Sequence, residues 1–177
     1  MAKDTKDTKK RPQVLIIVGS DSDLPIVSET EKILNQLGIS YLTTISSAHR
    51  SPERTRRCVK EAEENGVKVI IAAAGGAAHL PGVIAAETIL PVIGIPINSS
   101  PLMGIDSLLS IVQMPSGVPV AAMAIDRAGA KNAAVFAAQI LAIGSREIEK
   151  SLLKYKEGLS RDVEEKAKGL CGKNNKD

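Results

Sequence analysis

The chain has two histidines, His49 and His79, each in a polar or glycine-rich stretch that interrupts a hydrophobic run. The first lies in SSAHRSPE, residues 46–53, beside Ser47 and Arg50. Imidazole titrates near neutrality and can give and then take a proton within one reaction cycle, whereas guanidinium stays charged and suits phosphate. The spacing therefore separates proton transfer, at His49, from anion anchoring, at Ser47 and Arg50. A competing reading leaves His49 and Arg50 on a solvent-facing loop while Ser51 and Pro52 start a helix. The second histidine lies in AAAGGAAHLPG, residues 72–82, where so many small residues permit close approach of backbone to backbone or to a ligand. Gly75 and Gly76 can enter conformations closed to larger residues, and their amides can face a planar or anionic group. His79 either lines the same pocket or is an ordinary loop histidine.

GSDSD, residues 19–23, joins an accommodating glycine to two hydroxyls and two carboxylates. At the entrance to a helix, backbone donors together with Ser20 or Ser22 can hold an anion, and Asp23 can take a ribose-like hydroxyl pair. Turn and cap roles explain the same residues without a ligand. Farther along, Ser99 and Ser100 can meet a substrate, Asp106 can cap the next helix, and Gln113, Met114 and Pro115 can form an elbow leading into a strand. Structural roles account for each of these as well. There is neither a GxGxxG nor a Walker A sequence, so nucleotide hydrolysis has little support. A hydrolase triad of Ser20, Ser22 or Ser47 with His49 and Asp21 or Asp23 lacks a GxSxG elbow. Two histidines without nearby cysteine or a coherent carboxylate set make a poor zinc site, so no metal is expected. Cys58 and Cys171 are far apart and lack CxxC spacing; Cys58 reads as packing.

These segments need elements to bring them together. VLIIV, residues 14–18, is a β-branched run that ends at GSDSD. Residues 24–38 then turn to helical periodicity, with Ile26, Val27, Ile33, Leu34 and Leu37 on one face, Asp23 placed to cap, Pro25 in the first turn and Gly38 at the end. Residues 39–45 read as a second strand, and Pro52 opens a charged helix through about Asn65. VKVIIAAA, residues 67–74, is nearly continuous in apolar character, as a strand buried on both faces should be. PVIGIP supplies a strand, IDSLLSIVQ a helix, GVPVAAMAI the approach to a strand, and residues 128–144 an alanine-rich helix. Alternation of this kind predicts a parallel three-layer α/β/α sandwich, because right-handed crossovers cover both sheet faces. In such sheets ligands bind beyond the carboxyl ends of the strands, so the polar segments face one cleft.

Composition agrees with a single domain of this size. Hydrophobic residues make up 44% but aromatics only 2%, so Ala, Val, Ile and Leu must build the core. The formal charge of +3 sits at the ends: residues 1–11 carry five Lys or Arg against two Asp, and residues 146–177 nine against seven acids. Residues 12–145 hold nine bases against eleven acids, and EAEE follows RTRR directly, so a nucleic-acid surface is not expected. No apolar leader or membrane-length apolar segment is evident, which predicts a cytoplasmic protein with no membrane partner. The expected organisation is a flexible basic tail (1–12), one α/β catalytic domain (13–144), a C-terminal extension of one or two amphipathic helices (145–168) and a second flexible tail (169–177). Leu152, Leu153, Tyr155 and Leu159 in that extension can dock on the core or on a neighbouring subunit.

At GSDSD, SSAHRSP, AAAGGAAHLPG and GIDSLLSIVQMPSGVP the sequence resembles the class I N5-carboxyaminoimidazole ribonucleotide mutase family, across roughly residues 14–143. AGGAAHLPG looks like the bacterial and plant mutase class rather than the animal-type aminoimidazole ribonucleotide carboxylase class. Pro101, Met103, Asp126 and Arg127 depart from the more usual family residues. The resemblance implies a flavodoxin-like core, a homo-octamer with intersubunit C-terminal helices, and no cofactor. It implies that His49 is catalytic, that Ser20, Ser22, Ser47 and Arg50 bind the ribonucleotide phosphate, and that Asp23 binds ribose. It further implies that Gly75, Gly76, Ala77, His79 and Leu80 surround the aminoimidazole and the migrating carboxyl group. The implied reaction is isomerisation of N5-carboxyaminoimidazole ribonucleotide to 4-carboxy-5-aminoimidazole ribonucleotide, by decarboxylation and recapture of carbon dioxide, in purine biosynthesis.

Overall fold

A computed structural model describes residues 11–171. Its five strands, Val14–Val18 (β1), Tyr41–Ile45 (β2), Val69–Gly75 (β3), Val92–Ile97 (β4) and Ala121–Ala122 (β5), form one parallel sheet in the order β2-β1-β3-β4-β5. Six helices connect or follow them: Leu24–Gln36 (α1), Pro52–Glu64 (α2), Leu80–Glu87 (α3), Ile105–Val112 (α4), Asp126–Ala142 (α5) and Arg146–Cys171 (α6).

Side chains alternate across a strand, so a central strand covered on both faces must be apolar throughout. Every residue of β1 is buried, and the alternation sorts them into two cores. Val14, Ile16 and Val18 join Val27 and Leu34 of α1, the alanines of α5, and Ile148 and Leu152 of α6. Leu15 and Ile17 join Val59 of α2, Leu80 and Ile84 of α3, and Ile111 of α4. The result is the three-layer sandwich expected from the alternation of elements, with the flavodoxin-like strand order that the resemblance implies. The alanine face of α5 brings its backbone within reach of α1, where the buried Thr30 hydroxyl donates to the Ala130 carbonyl at 2.8 Å.

Several boundaries differ from expectation for local reasons. The second strand begins at Tyr41 rather than Ile39, because Ile39 completes the end of α1. Gly38 takes the left-handed conformation at φ 73°, its N–H reaches Asn35 O at 3.1 Å, and the Ile39 N–H reaches Leu34 O at 2.9 Å. This is a Schellman closure, and it draws Ile39 into the core instead of the ladder. β5 keeps only two paired residues of the stretch 117–125, which leaves a short edge. Pro96 of β4 lies past the two residues that β5 pairs, so its missing N–H costs no ladder bond there. α5 starts at Asp126, two residues earlier than expected, and ends at Ala142. The C-terminal extension is one helix of 26 residues, not two, and it passes the expected limit at 168 to reach Cys171. Ile148 and Leu152 anchor it, while Leu153 and Leu159 are exposed. The expected tails fall largely outside the described residues. Among the described residues, no helix is long and apolar enough to cross a membrane.

Candidate active site

In a sheet ordered 2-1-3-4-5 the connections change direction between β1 and β3, and loops diverge there to open a crevice. The loops after β1, β2, β3 and β4 enclose a cleft of about 300 Å³ at this place. That is the lower end of the range for small-molecule sites.

The first wall follows β1. The Gly19 N–H donates to Ala73 O at 3.2 Å, tying this loop to β3. Ser20 caps a single 3-10 turn over Asp21–Asp23, its hydroxyl oxygen accepting from the Ser22 N–H at 3.4 Å. Asp23 does not cap α1 as expected, because its side chain makes no capping bond to that helix. Instead its carboxylate accepts from the Ser22 hydroxyl at 3.2 Å while the residue stays only 5% exposed. Burial raises the Asp23 carboxyl above its ordinary range, against the lowering effect of the bonds from Ser22 and the Ser20 turn. A buried carboxylate beside a cleft, with capacity to accept more, suits a hydroxyl-rich ligand.

The second wall follows β2. Ser46 is buried, bonded to the Thr55 hydroxyl at 2.8 Å, and its N–H reaches Val18 O at 2.9 Å. This fixes the start of the loop against β1 and α2. Pro52 opens α2 as expected, so SSAHRS is held at both ends. The Ser47 hydroxyl accepts from the Arg50 N–H at 3.3 Å, and the Arg50 guanidinium donates to Gly19 O at 3.3 Å. Arg50 thus spans from the second loop to the first and sets a permanent cation beside Ser20 and Ser22. The neighbouring arginines have other partners: Arg54 donates to Ile45 O at 2.9 Å, and Arg56 pairs with Glu53 and Glu87 at 2.6 and 3.0 Å. The arginines of RTRR are therefore engaged by carboxylates or by the end of β2.

The third wall follows β3. Ala78 takes φ 38° and α3 begins at Leu80, which aims His79 across the cleft. His49 Nε2 and His79 Nδ1 lie 2.5 Å apart, with ring centroids at 4.7 Å and planes at 86°. In such a hydrogen bond one ring nitrogen donates and the other accepts, according to the tautomers, beside the loop of Ser20 and Ser22. His49 bonds to His79 rather than to Ser20, Ser22 or Ser47, which removes the geometric basis for a hydrolase triad.

Of the candidates named from the sequence, Ser20, Ser22, Asp23, Ser47, His49, Arg50, Gly75, His79 and Leu80 line the cleft. Gly76 and Ala77 belong to the same turn but do not line it. The structure also divides the two serines after β4. Ser99 lines the cleft, whereas Ser100 donates to Asp106 at 2.7 Å inside its own loop. Asp106 accordingly does not cap α4, whose N-cap residue is Gly104, without a side-chain cap. Gly19, Ala48, Ala74 and Ala78 complete the lining; Gly19, Ala74 and Ala78 fall in the small-residue stretches expected to approach a ligand, whereas Ala48 was not singled out because its contribution is shape alone. Among the described residues no group of three or more His, Cys, Asp or Glu is set to hold a metal ion.

Known proteins share this sequence and fold. Residues 13–162 match the family model described as AIR carboxylase. The N5-carboxyaminoimidazole ribonucleotide mutase of Pyrococcus horikoshii is 59% identical over 91% of this chain and 90% of its own. The protein of the same name from Thermotoga maritima is 56% identical over 90% of this chain and 92% of its own, and that of Escherichia coli K12 is 47% identical over 85% and 89%. The crystal structure of Treponema denticola PurE superposes with a TM-score of 0.82 at 32% identity, covering 90% of this chain and 99% of that one. With the match running from the first strand into the last helix, and the named relatives covered over 89–92% of their own length, this chain belongs to the AIR carboxylase family.

Proposed function

We propose that this protein is an isomerase that converts N5-carboxyaminoimidazole ribonucleotide into 4-carboxy-5-aminoimidazole ribonucleotide in purine biosynthesis. The observation that carries this reading is the convergence of two serines and an arginine, a buried carboxylate and a histidine pair on one cleft. Relatives of 47–59% identity bear the mutase name.

In this reading Ser20, Ser22, Ser47 and Arg50 hold the substrate phosphate, and Asp23 takes the ribose hydroxyls. His49 in its protonated form donates to the carbamate nitrogen as the N–C bond breaks, and its electron pair stays on nitrogen. Carbon dioxide is released into the cleft. The electron-rich aminoimidazole attacks it through C4, forming the new C–C bond, and His49 removes the C4 proton to restore aromaticity. Acid and base are successive states of one residue. His79 gives the His49 ring its hydrogen-bonding partner, and the small residues around Gly75 hold carbon dioxide close enough for recapture. Protein groups and substrate alone supply every atom and electron.

Assembly as a homo-octamer in the cytoplasm completes the reading. It is supported by exposed apolar surface on one chain: Ile105, Leu109 and Val112 along α4, and Leu153, Leu159 and Val163 along α6. Size measurement by light scattering tests it.

The family description favours a second reading, direct carboxylation of aminoimidazole ribonucleotide by carbon dioxide. Substrate labelled in its carboxyl carbon separates the two. The purified protein should produce the C4 acid without ATP, keeping the label in excess unlabelled bicarbonate. Product formed only from aminoimidazole ribonucleotide and bicarbonate overturns the isomerase, and absence of any product overturns both.

A further inference from the structure

The cleft has a fourth wall whose support lies outside it. Gly75 has no side chain, and the space is taken by Ser99: a Cβ built on Gly75 would fall 2.0 Å from the Ser99 hydroxyl oxygen. Ser99 thereby closes the gap between the ends of β3 and β4, and it lines the cleft from that side. Among the described residues its hydroxyl makes no hydrogen bond that would hold it there. Its position is inherited from the backbone at Asn98, the first residue beyond β4.

That backbone is pinned from α5. The Asn98 N–H donates to Asp126 Oδ1 at 2.9 Å. Asp126 is the first residue of α5 and has φ 57°, in the left-handed region where glycine is at ease and Asp is among the few side chains tolerated. The residue is thus held in an uncommon conformation that presents its carboxylate to a strand end 28 positions earlier. The far end of the same loop is held by contact: a Cβ on Gly104 would meet Ile125 Cγ2 at 2.8 Å and Asn98 Cα at 3.4 Å. Between these points the Ser100 hydroxyl donates to Asp106 and accepts from the Leu102 N–H, which ties the middle of loop 98–104 together. Its alignment depends on the Asp126 pin.

We propose that Asp126 is a positioning residue for the active site: through the Asn98 N–H it seats loop 98–104 so that Ser99 seals the cleft against Gly75 and confines the released carbon dioxide. This deepens the proposed function and rests on it. The residue touches no substrate and acts only through Asn98 and Ser99.

Two substitutions separate positioning from folding. Asp126→Gly keeps the left-handed backbone without strain and removes the acceptor; Asp126→Asn tolerates the same backbone and retains an acceptor oxygen. Each variant and the wild type are compared by thermal midpoint, by exchange of the Asn98 amide hydrogen in the ligand-free protein, and by turnover of carboxyl-labelled substrate in unlabelled bicarbonate. The expected result for Asp126→Gly is an unchanged or higher midpoint and at least tenfold faster Asn98 exchange. Its kcat/KM should be about tenfold lower, the scale of one lost charge-assisted hydrogen bond, with label retention at half the wild-type value or less. Asp126→Asn should match the wild type on all counts. Asp126→Gly with wild-type exchange, or with wild-type label retention, overturns the proposal, as does Asp126→Asn behaving like Asp126→Gly. A wild-type protein that makes no product counts against the proposed function, and the ligand-free exchange rate still decides whether Asp126 pins Asn98.

Discussion

Replacing Gly75 by alanine adds one methyl group where three atoms already stand. The new Cβ falls 2.0 Å from Ser99 Oγ, 2.8 Å from Ser99 Cβ and 3.2 Å from Ile97 O. Rotation of the Ser99 hydroxyl removes the first conflict but not the second. Carbon atoms rest at roughly 3.5–4.0 Å, so the 2.8 Å contact still demands a displacement of about 0.7 Å in the strand-end backbone. Overpacking of this kind costs about 1–3 kcal/mol, and the exposed position of Ser99 places the expected cost at about 1–2 kcal/mol. For a chain of this length that lowers the thermal midpoint by roughly 2–8 °C. The effect on turnover should be larger, about a hundredfold in kcat/KM, because a wall displaced by a large fraction of an ångström misplaces the reacting groups. Urea unfolding of the wild type, Gly75→Ala, Ser99→Gly and the double variant forms a cycle that isolates the clash. Removal of the Ser99 side chain should restore most of the lost stability, with a coupling of about 1 kcal/mol. Wild-type stability in Gly75→Ala, or additive effects in the double variant, would refute the steric reasoning.

His49→Asn should abolish turnover while leaving affinity for a ribose phosphate within about threefold, since Ser47 and Arg50 keep their places; calorimetric titration beside the turnover assay checks this. Asp23→Asn should stabilise the fold at neutral pH and weaken substrate binding. The folded carboxyl is raised by burial, so its full stability is present below the unfolded value and is lost as pH rises through the folded one. The gain from Asn should therefore disappear in urea titrations carried below the carboxylate range, and a gain that persists there rejects burial as its source. Glu29 gives the opposite sign. Its carboxyl is lowered first by the Lys32 hydrogen bond and further by Lys131 and Arg127, so it stabilises above its unfolded value and ceases to as pH falls through the folded one. Glu29→Gln should lower the thermal midpoint at pH 7 and converge with the wild type in acid; equal midpoints at pH 7 refute the clamp between α1 and α5.

The layers were legible because β1 and β3 read as unbroken apolar runs flanked by helical periodicity, a pattern with few other solutions. The histidine and serine loops were legible because polar residues at strand ends have one destination in a parallel sheet. Other features depend on distances between segments far apart in sequence. Asp23 has the chemistry of a cap, and only the intervening 3-10 turn, which takes Ser20 as its cap, shows why it serves the cleft instead. Ile39 has the composition of a strand residue, yet the closure at Gly38 assigns it to the helix end. Ser99 and Ser100 are indistinguishable by type; the direction of one side chain toward Gly75 and the other toward Asp106 decides their roles. The departure at Arg127 finds a partner in Glu29, 98 positions earlier, at 3.2 Å. Pro101 and Met103 face outward on their loop, and nothing in the structure explains them.

The last half of α6 has a thermodynamic character unlike that of the core. Beyond Tyr155, itself packed on the α1–α5 side, Leu159, Val163 and Leu170 are all exposed. On a single chain this stretch is a tethered peptide, and isolated helices of such length are marginal in water. Its own sequence offers Glu157 and Arg161, Asp162 and Lys166, and Glu164 and Lys168, each four apart in the sense that favours a helix through charge attraction across solvent. Such pairs weaken with salt. The helix–coil balance of this arm is therefore set by charge and responds to ionic strength, while the sheet that carries the active site rests on buried apolar side chains.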